Sequence, residues 1–258
     1  IASALGVSPS FDPEWEVGRR ITFLSEYLEG SGAAGYVLGI SGGVDSTVAG
    51  RLAQLSCDRT GTALTALRLP YGQQADEHDA RAALAFIKPA TIATVNIKLA
   101  VDALHEATAP AEGFNDPAQG DFIKGNIKAR QRMIAQYAVA GRLGALVVGT
   151  GHAAEAVMGF FTKHGDGACD VAPLSGLTKS RVLAIGKYLG APEPLLAKVP
   201  TADLEDDRPG LPDEEAYGVS YADIDAYLTG QEISESAREI IETTFRATAH
   251  KRTLPPWP

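Results

Sequence analysis

Apolar residues along this chain follow two alternating spacings, and the alternation predicts the order of its elements. Short, continuous apolar runs predict buried strands at 36–40, 62–69, 91–97 and 145–150. Apolar positions at helical spacing predict helices at 45–57, 76–87, 98–107 and 121–142. Strands that alternate with helices predict a Rossmann-like α/β fold, in which helices cover both faces of a parallel sheet.

The pattern changes after position 150 and becomes mostly helical. The predicted helices in this part of the chain lie at 152–158, 178–189, 221–229 and 235–248. Two loops rich in glycine, proline and acidic residues, 161–176 and 200–212, separate them, and loops of this length often act as lids or binding elements. No repeat or low-complexity linker divides the sequence. We therefore expect one domain, 1–258, with a helical C-terminal part.

Composition and charge narrow the class of protein. The net charge of −9 disfavours nucleic acid as the main partner, because that binding relies on a basic surface. No apolar run is long enough to span a membrane, and residues 1–20 lack the layout of a signal peptide, so we expect a cytoplasmic protein. Cys57 and Cys169 are far apart and form no Cys-x-x-Cys, which argues against a disulfide framework or a structural zinc site.

A glycine- and serine-rich turn follows the first predicted strand. Residues 41–46 read Ser-Gly-Gly-Val-Asp-Ser and lead directly into a helix, where backbone amides and hydroxyls can approach phosphate oxygens. Neither Gly-x-x-x-x-Gly-Lys-Ser/Thr nor Gly-x-Gly-x-x-Gly occurs in the chain. An ordinary turn is the alternative, but two serines and an aspartate exceed what turn geometry requires. The segment predicts a nucleotide phosphate site, and it resembles the loop of the ATP pyrophosphatase superfamily.

Two carboxylates follow neighbouring strand ends of the predicted sheet. Asp45 lies in the phosphate loop and Glu155 lies about one helical turn beyond the strand at 145–150. Mg²⁺ prefers carboxylate, phosphate and water oxygens, so the pair predicts a Mg²⁺ site. The alternatives are that Asp45 caps a helix and that Glu155 interacts with a helix dipole.

The helix at 121–142 carries an arginine among apolar residues. Apolar residues at helical spacing form a stripe, and Arg130 falls within it; the stripe contains Ile123, Ile127, Ile134 and Tyr137 or Ala138. A buried arginine needs an anion, which predicts a ligand or a pocket at this position. We expect Lys124, Lys128 and Arg132, which lie together on another face of the helix, to be solvated. The broad apolar surface predicts contact with the core and with a partner subunit.

Two further segments carry candidate binding residues. Residues 160–167 read Phe-Phe-Thr-Lys-His-Gly-Asp-Gly, which is too polar for a core and typical of a loop that closes on a ligand. Residues 250–252 read His-Lys-Arg at the end of the last helix. Cations are common there because they complement the helix dipole, so a structural role for this cluster is an equal alternative.

Together these segments resemble the ammonia-dependent NAD⁺ synthetases. The resemblance extends from about position 11 to the C-terminus, and its motifs lie at 38–47, 125–138, 159–167, 200–204 and 249–252. It implies a two-step reaction in which the carboxylate of deamido-NAD⁺ takes AMP from ATP and ammonia then displaces AMP. Another ATP pyrophosphatase-type adenylating enzyme, or a non-catalytic nucleotide-binding module, remains the alternative.

The resemblance also implies roles for individual residues. The ATP-binding residues are Gly39, Ile40, Ser41, Gly42, Gly43, Val44, Asp45, Ser46, Thr150, Lys179 and Thr201. The deamido-NAD⁺-binding residues are Arg130, Lys163, Asp170, His250 and Lys251. Asp45 and Glu155 hold Mg²⁺. Ser46 and Lys179 are candidate catalytic residues, and Asp166 is the candidate for steering or deprotonating ammonium.

Three further expectations come from the same resemblance. Members of this family usually form homodimers with the deamido-NAD⁺ site at the interface. We expect free ammonia as the nitrogen source, since no glutaminase domain is recognised in the sequence. Many relatives read Gly-Thr-Asp-His where this chain has Gly149, Thr150, Gly151 and His152, so one carboxylate of the common pattern is missing here.

Overall fold

A computed structural model of the chain describes residues 1–72, 77–108, 117–201, 207 and 210–257. Residues 202–204 of the predicted motif at 200–204, and most of the loop predicted at 200–212, lie outside the described residues. Within the described part, no helix is both long and apolar enough to cross a bilayer.

The elements follow the predicted alternation. The strands are β1 Gly35–Gly39, β2 Ala63–Arg68, β3 Thr91–Thr94 and β4 Leu146–Val147. The helices of the first half are α1 Pro13–Ser31, α2 Val44–Thr60, α3 Glu77–Ile87, α4 Lys98–Thr108 and α5 Pro117–Leu143. The helices of the second half are α6 Ala153–Met158, α7 Lys179–Tyr188, α8 Glu193–Leu196, α9 Asp213–Tyr217, α10 Tyr221–Leu228 and α11 Glu235–Ala247.

The strands form a parallel sheet in the order β3-β2-β1-β4, which confirms the predicted fold class. Successive residues of a strand face opposite sides of a sheet. Tyr36 and Leu38 accordingly join a core with α1, α2 and α7, whereas Val37 joins a second core with Ala140 of α5. Helices therefore cover both faces, and β1 lies in the interior of the sheet.

Two strands are shorter than the runs that predicted them. Backbone hydrogen bonds continue beyond β3, where the NH groups of Val95 and Ile97 donate to the carbonyls of Arg68 and Pro70. The side chain of Asn96 accepts the NH of Lys98, the first residue of α4. β4 contains only two residues of the run predicted at 145–150, and the carboxylate of Asp170 accepts the NH of Val147 at 2.7 Å.

Helix α1 is an element that the apolar pattern did not predict. Two charged residues interrupt its buried face: Glu16 and Arg20 are 2% and 5% exposed and form an ion pair of 2.9 Å. Arg20 also donates to the carbonyl of Ser175, in the loop before α7. The helix begins where Asp12 accepts the NH of Trp15, a side-chain cap that satisfies one free amide of the first turn.

The C-terminal helices have a hydrophobic core of their own. Val157 of α6, Tyr217 of α9, Ile224 of α10 and Ile241 of α11 are buried together. Helix α7 also contacts α1 and α2 in the core beside the sheet. Helix α7 thereby links the C-terminal helices to the face of the sheet that α1 and α2 cover.

Gly35 gives a test of the β1–β2 pairing. Its φ is 154°, and a Cβ there would lie 2.0 Å from the carbonyl oxygen of Ala63. We expect Gly35→Ala to lower the free energy of unfolding by at least about 2 kcal/mol. Gly61→Ala, at a positive φ with open space around it, is the control and should cost about 1 kcal/mol. Urea unfolding that gives equal losses would contradict this packing.

Candidate functional site

The phosphate loop joins the carboxyl end of β1 to the N-terminus of α2. Gly43 is the residue that caps α2, so Asp45 lies inside the first turn, and the alternative that Asp45 caps the helix is wrong. The hydroxyls of Ser41 and Ser46 lie 3.1 Å apart, and Ser41 also accepts the NH of Gly43. Gly42 has a φ of 87°, and a Cβ there would meet the NH of Ala80 at 2.7 Å. The loop needs glycine at this position for two reasons.

A cavity of about 880 Å³ opens at this edge of the sheet. Most of the predicted site residues line it: Gly39, Ile40, Ser41, Gly43, Val44, Asp45, Ser46, Thr150, Glu155, Asp166, Lys179, Thr201 and Lys251. The remaining predicted residues do not line it: Gly42, Arg130, Lys163, Asp170 and His250. The volume suits a nucleotide-sized ligand.

A compact group of ionisable residues lies at this cavity, and three of its members, Asp45, Glu155 and Lys179, line the wall. The Nζ of Lys179 is 2.9 Å and 2.8 Å from the two carboxylate oxygens of Asp45. The Nε2 of His152 is 3.5 Å from Asp45 Oδ1 and 3.7 Å from Glu155 Oε2. One ligand atom from each of Asp45, His152 and Glu155 lies within 4.8 Å of the others, so this group could hold a metal ion.

The two carboxylates of this group have opposite electrostatic environments. Burial by itself would raise the pKa of Asp45, but the charge and hydrogen bonds of Lys179 lower it overall. Burial and then the nearby charge of Asp45 raise the pKa of Glu155 well above its ordinary value. Burial lowers the pKa of His152 to about 4. A cation placed between Asp45 and Glu155 would relieve their repulsion.

Glu155 also fulfils its alternative role at the N-terminus of α6. Its Oε2 accepts the NH of His152 at 3.3 Å, and its own NH donates to Nδ1 of His152 at 3.4 Å. This reciprocal pair is a capping box, in which histidine replaces the usual serine or threonine. The helix-terminus interpretation and the candidate metal interpretation therefore both fit Glu155.

Lys179 is positioned by the C-terminal helices. The carboxylate of Asp225 on α10 accepts the NH groups of Lys179 and Ser180 at 3.0 Å and 2.7 Å. These are free amides of the first turn of α7, which a carboxylate stabilises by hydrogen bonding and by its charge. The ring of Tyr221 lies 5.3 Å from Lys179 Nζ. The helical part of the chain thus sets the direction in which Lys179 reaches the cavity.

The structure agrees only in part with the predicted faces of α5. Ile127 of the predicted stripe is buried and Ile123 packs beside it, but Arg130 is exposed and Ile134 is 50% exposed. Lys128, expected to be solvated, is 4% exposed, and its Nζ lies 4.5 Å from the centroid of the Tyr71 ring. Arg132, also expected to be solvated, lines the cavity and donates to the carbonyl of Leu69 at 3.2 Å. Apolar spacing therefore identified the buried position of Ile127 but not the burial of Lys128 or the exposure of Ile134.

The loop predicted to close on a ligand lies between α5 and the C-terminus. Arg130 donates through Nε and Nη2 to the carbonyl of Lys163 at 3.3 Å and 3.2 Å. Lys251 donates to the carbonyls of Gly159 and Phe161, each at 2.8 Å. Arg130, Lys163 and Lys251 are therefore brought together around this loop.

Asp166, Asp170 and His250 have different surroundings. Asp166 accepts the NH of Thr162 at 2.9 Å, and partial removal from water raises its pKa. Asp170 is bound to the backbone of β4 and accepts the hydroxyl of Tyr137 at 3.3 Å, so its carboxylate already supports the sheet. His250 is exposed in a 3-10 helix, Ala249–Lys251.

Sequence reasoning missed residues whose roles depend on distant contacts. His152 and Asp225 were not selected, although both contact the predicted site residues directly. Asp213 was also missed: it lines the cavity, and its Oδ2 accepts the hydroxyl of Tyr221 at 2.8 Å. The motif around Glu155 contained a signal for His152, since a polar residue three positions before a glutamate is the pattern of a capping box.

Gly151 lies where the resemblance led us to expect an aspartate. It is exposed, and a Cβ at this position would have no atom within 4 Å. The turn therefore has room for a side chain at position 151, and packing does not require glycine there.

A parallel sheet with a phosphate loop, and with a charged cavity at the carboxyl ends of its strands, defines a nucleotide-binding α/β protein. The profile of the NAD synthase family matches residues 16–255. The chain belongs to the NAD synthase family.

Individual relatives and solved structures agree with this membership. The chain is 56% identical over 260 residues to the NH(3)-dependent NAD(+) synthetase of Nocardia farcinica, covering 99% of this chain and 94% of the relative. It is similar to the crystal structure of NAD+ synthetase from Burkholderia pseudomallei (TM-score 0.85, 52% identity, covering 98% and 95%). It is also similar to NMN synthetase from Francisella tularensis (TM-score 0.86, 37% identity, covering 96% and 99%).

The electrostatic environment of Glu155 gives a stability test. We expect Glu155→Gln, without added metal, to raise the free energy of unfolding at neutral pH, because the pKa of Glu155 is raised by burial and by the charge of Asp45. Glutamine keeps the capping box but removes a half-buried charge that Asp45 repels.

The sign follows from linkage. A raised native pKa means that wild-type stability falls as pH rises from the unfolded to the native pKa of Glu155, so the gain should disappear in acid. Urea unfolding at several pH values measures the difference, with Glu239→Gln, at an exposed position of α11, as the control. A loss of stability in Glu155→Gln at neutral pH would contradict this electrostatic account.

Proposed function

We propose that this chain is an ammonia-dependent NAD⁺ synthetase, which converts deamido-NAD⁺ to NAD⁺ with ATP and releases AMP and pyrophosphate. The observation that carries the proposal is the convergence of the phosphate loop, Lys179 and two carboxylates on one cavity. Membership of the NAD synthase family and the names of the relatives support the substrates.

Asp45 and Glu155 are the residues that would hold Mg²⁺. Both carboxylates are half-buried and lie close together in a group with an excess of negative charge, and oxygen is the ligand type that Mg²⁺ selects. Bound there, the ion would neutralise triphosphate charge. Lys179 would exchange part of its contact with Asp45 for a phosphate oxygen.

The ATP site uses the loop and the opposite wall of the cavity. The NH groups near Gly42 and Gly43 and the hydroxyls of Ser41 and Ser46 would donate to phosphate oxygens at the N-terminus of α2. The group is completed by Gly39, Ile40, Val44, Thr150, Lys179 and Thr201. Positioning and charge neutralisation then account for most of the catalysis.

The reaction proceeds in two steps. A carboxylate oxygen of deamido-NAD⁺ attacks the α-phosphorus of ATP, and the bond to pyrophosphate breaks. Ammonia then attacks the acyl carbon, AMP leaves with its bonding electrons, and the nitrogen loses a proton. Ser46 and Lys179 would stabilise the charge on the transferred phosphoryl group. The raised pKa of Asp166 suits a group that takes a proton from ammonium.

The deamido-NAD⁺ site would form around the loop at 159–167. Arg130, Lys163, His250 and Lys251 supply positive charge there, and we keep Asp170 as a further contact. Arginine and lysine suit the pyrophosphate of a dinucleotide.

A homodimer would complete this site. Large apolar side chains are exposed on β3, α4 and α5 of the single chain: Ile92, Leu99, Phe122 and Ile134. An apolar surface of this kind is typical of an obligate interface. We propose that two copies pack through it, beside Arg130. The substrates are consistent with a cytoplasmic location.

The decisive test of function is product analysis. With Mg²⁺, ATP, deamido-NAD⁺ and saturating ammonium, we expect NAD⁺, AMP and pyrophosphate in equal amounts, and no product after EDTA treatment. Formation of ADP, or no NAD⁺ at all, would refute the assignment. Nicotinate mononucleotide belongs in a parallel reaction, because one similar structure is an NMN synthetase.

Arg130 gives a test of the dinucleotide site. We expect Arg130→Ala to raise the KM for deamido-NAD⁺ at least about tenfold, the loss of one charge-assisted contact, with the KM for ATP unchanged. Arg142→Ala, an exposed arginine in the last turn of the same helix, is the matched control. If the two variants have the same KM values, Arg130 does not bind this substrate.

A further inference from the structure

His152 has one ring nitrogen without a hydrogen-bond partner in the described part of the chain. Its side chain is fully buried, and Nε2 has no acceptor or donor within hydrogen-bond geometry. This atom points between two carboxylates, 3.5 Å from Asp45 Oδ1 and 3.7 Å from Glu155 Oε2. A buried polar atom without a partner costs free energy. The position of Nε2 between the two carboxylates therefore indicates a functional role for this atom.

The other ring nitrogen determines which atom carries the proton. Nδ1 accepts the backbone NH of Glu155 in the capping box of α6 and is therefore unprotonated. In a neutral imidazole the proton must then lie on Nε2. An Nε2–H group can donate to a carboxylate but cannot bind a metal ion.

Direct metal ligation by His152 would require the other tautomer. The proton would move to Nδ1, where it would face the NH of Glu155 as a second donor. That arrangement would break the capping box and leave a buried amide unsatisfied. The cap therefore works against nitrogen ligation and leaves oxygen atoms as the ligands from this group.

We propose that His152 is a positioning residue of the metal site, whose Nε2–H orients the carboxylates of Asp45 and Glu155 toward a divalent cation without ligating it. The inference rests on the proposed Mg²⁺ role of these two residues. Histidine thereby joins the start of α6 to the first turn of α2 and keeps the site selective for oxygen-preferring cations.

The substitution His152→Asn separates the cap from the metal site. Asparagine is a favourable N-cap residue, so its side chain can replace Nδ1 as the acceptor for Glu155, but it cannot reach the position of Nε2. We expect the dissociation constant for Mn²⁺, and for Mg²⁺ in competition, to rise about tenfold or more. The thermal midpoint without metal should stay within a few degrees of wild type.

The measurement is EPR titration of free Mn²⁺ against the purified full chain, with and without a non-hydrolysable ATP analogue. Asp45→Asn shows whether the site exists, and His78→Asn, on a surface side chain that is 94% exposed, controls for loss of a histidine. If wild type and Asp45→Asn bind Mn²⁺ equally, the proposed metal role fails and this inference fails with it.

Two other results would overturn the inference while leaving the metal site intact. One is a folded His152→Asn protein with the Mn²⁺ affinity of wild type. The other is a strong coupling of directly bound nitrogen to Mn²⁺ in pulsed EPR of wild type that disappears in His152→Asn, which would make His152 a ligand.

Discussion

The ion pair between Lys179 and Asp45 is the contact on which the arrangement of the cavity depends. It joins the first turn of α2, at the end of the sheet, to the first turn of α7. Lys179 is buried, and Asp45 is the charge that most favours its ionised form. Removing either partner would leave a poorly solvated charge, which costs several kcal/mol in comparable buried pairs. The two parts of the chain are therefore coupled at the point where the cavity opens.

The other contacts of the site support this pair or respond to it. Asp225 fixes the backbone of Lys179, and the capping box of His152 and Glu155 brings a second carboxylate to the same wall. The positive charge of Lys179 balances Asp45 but leaves Glu155 with a raised pKa. Lys179 therefore balances the charge of Asp45 but not that of Glu155.

The sequence predicted the parts of the site that depend on neighbouring residues. The phosphate loop and Asp45 belong to one short segment, so local chemistry was sufficient to identify them. His152 and Asp225 were not predicted as site residues, because their roles arise from contacts with α2 and α7 that sequence spacing does not reveal. The faces of α5 were predicted only in part: Ile127 is buried, but so is Lys128, because a lysine can pack against an aromatic ring, as Lys128 does against Tyr71.

The central claim is that Lys179 and Asp45 stabilise each other across the two parts of the chain. A double-mutant cycle with Asp45→Asn and Lys179→Met, followed by urea unfolding without ligands, measures this directly. We expect each single variant to lose stability, and the double variant to recover part of the loss, with a coupling energy of about 1.5 kcal/mol or more. A coupling energy near zero would contradict the account.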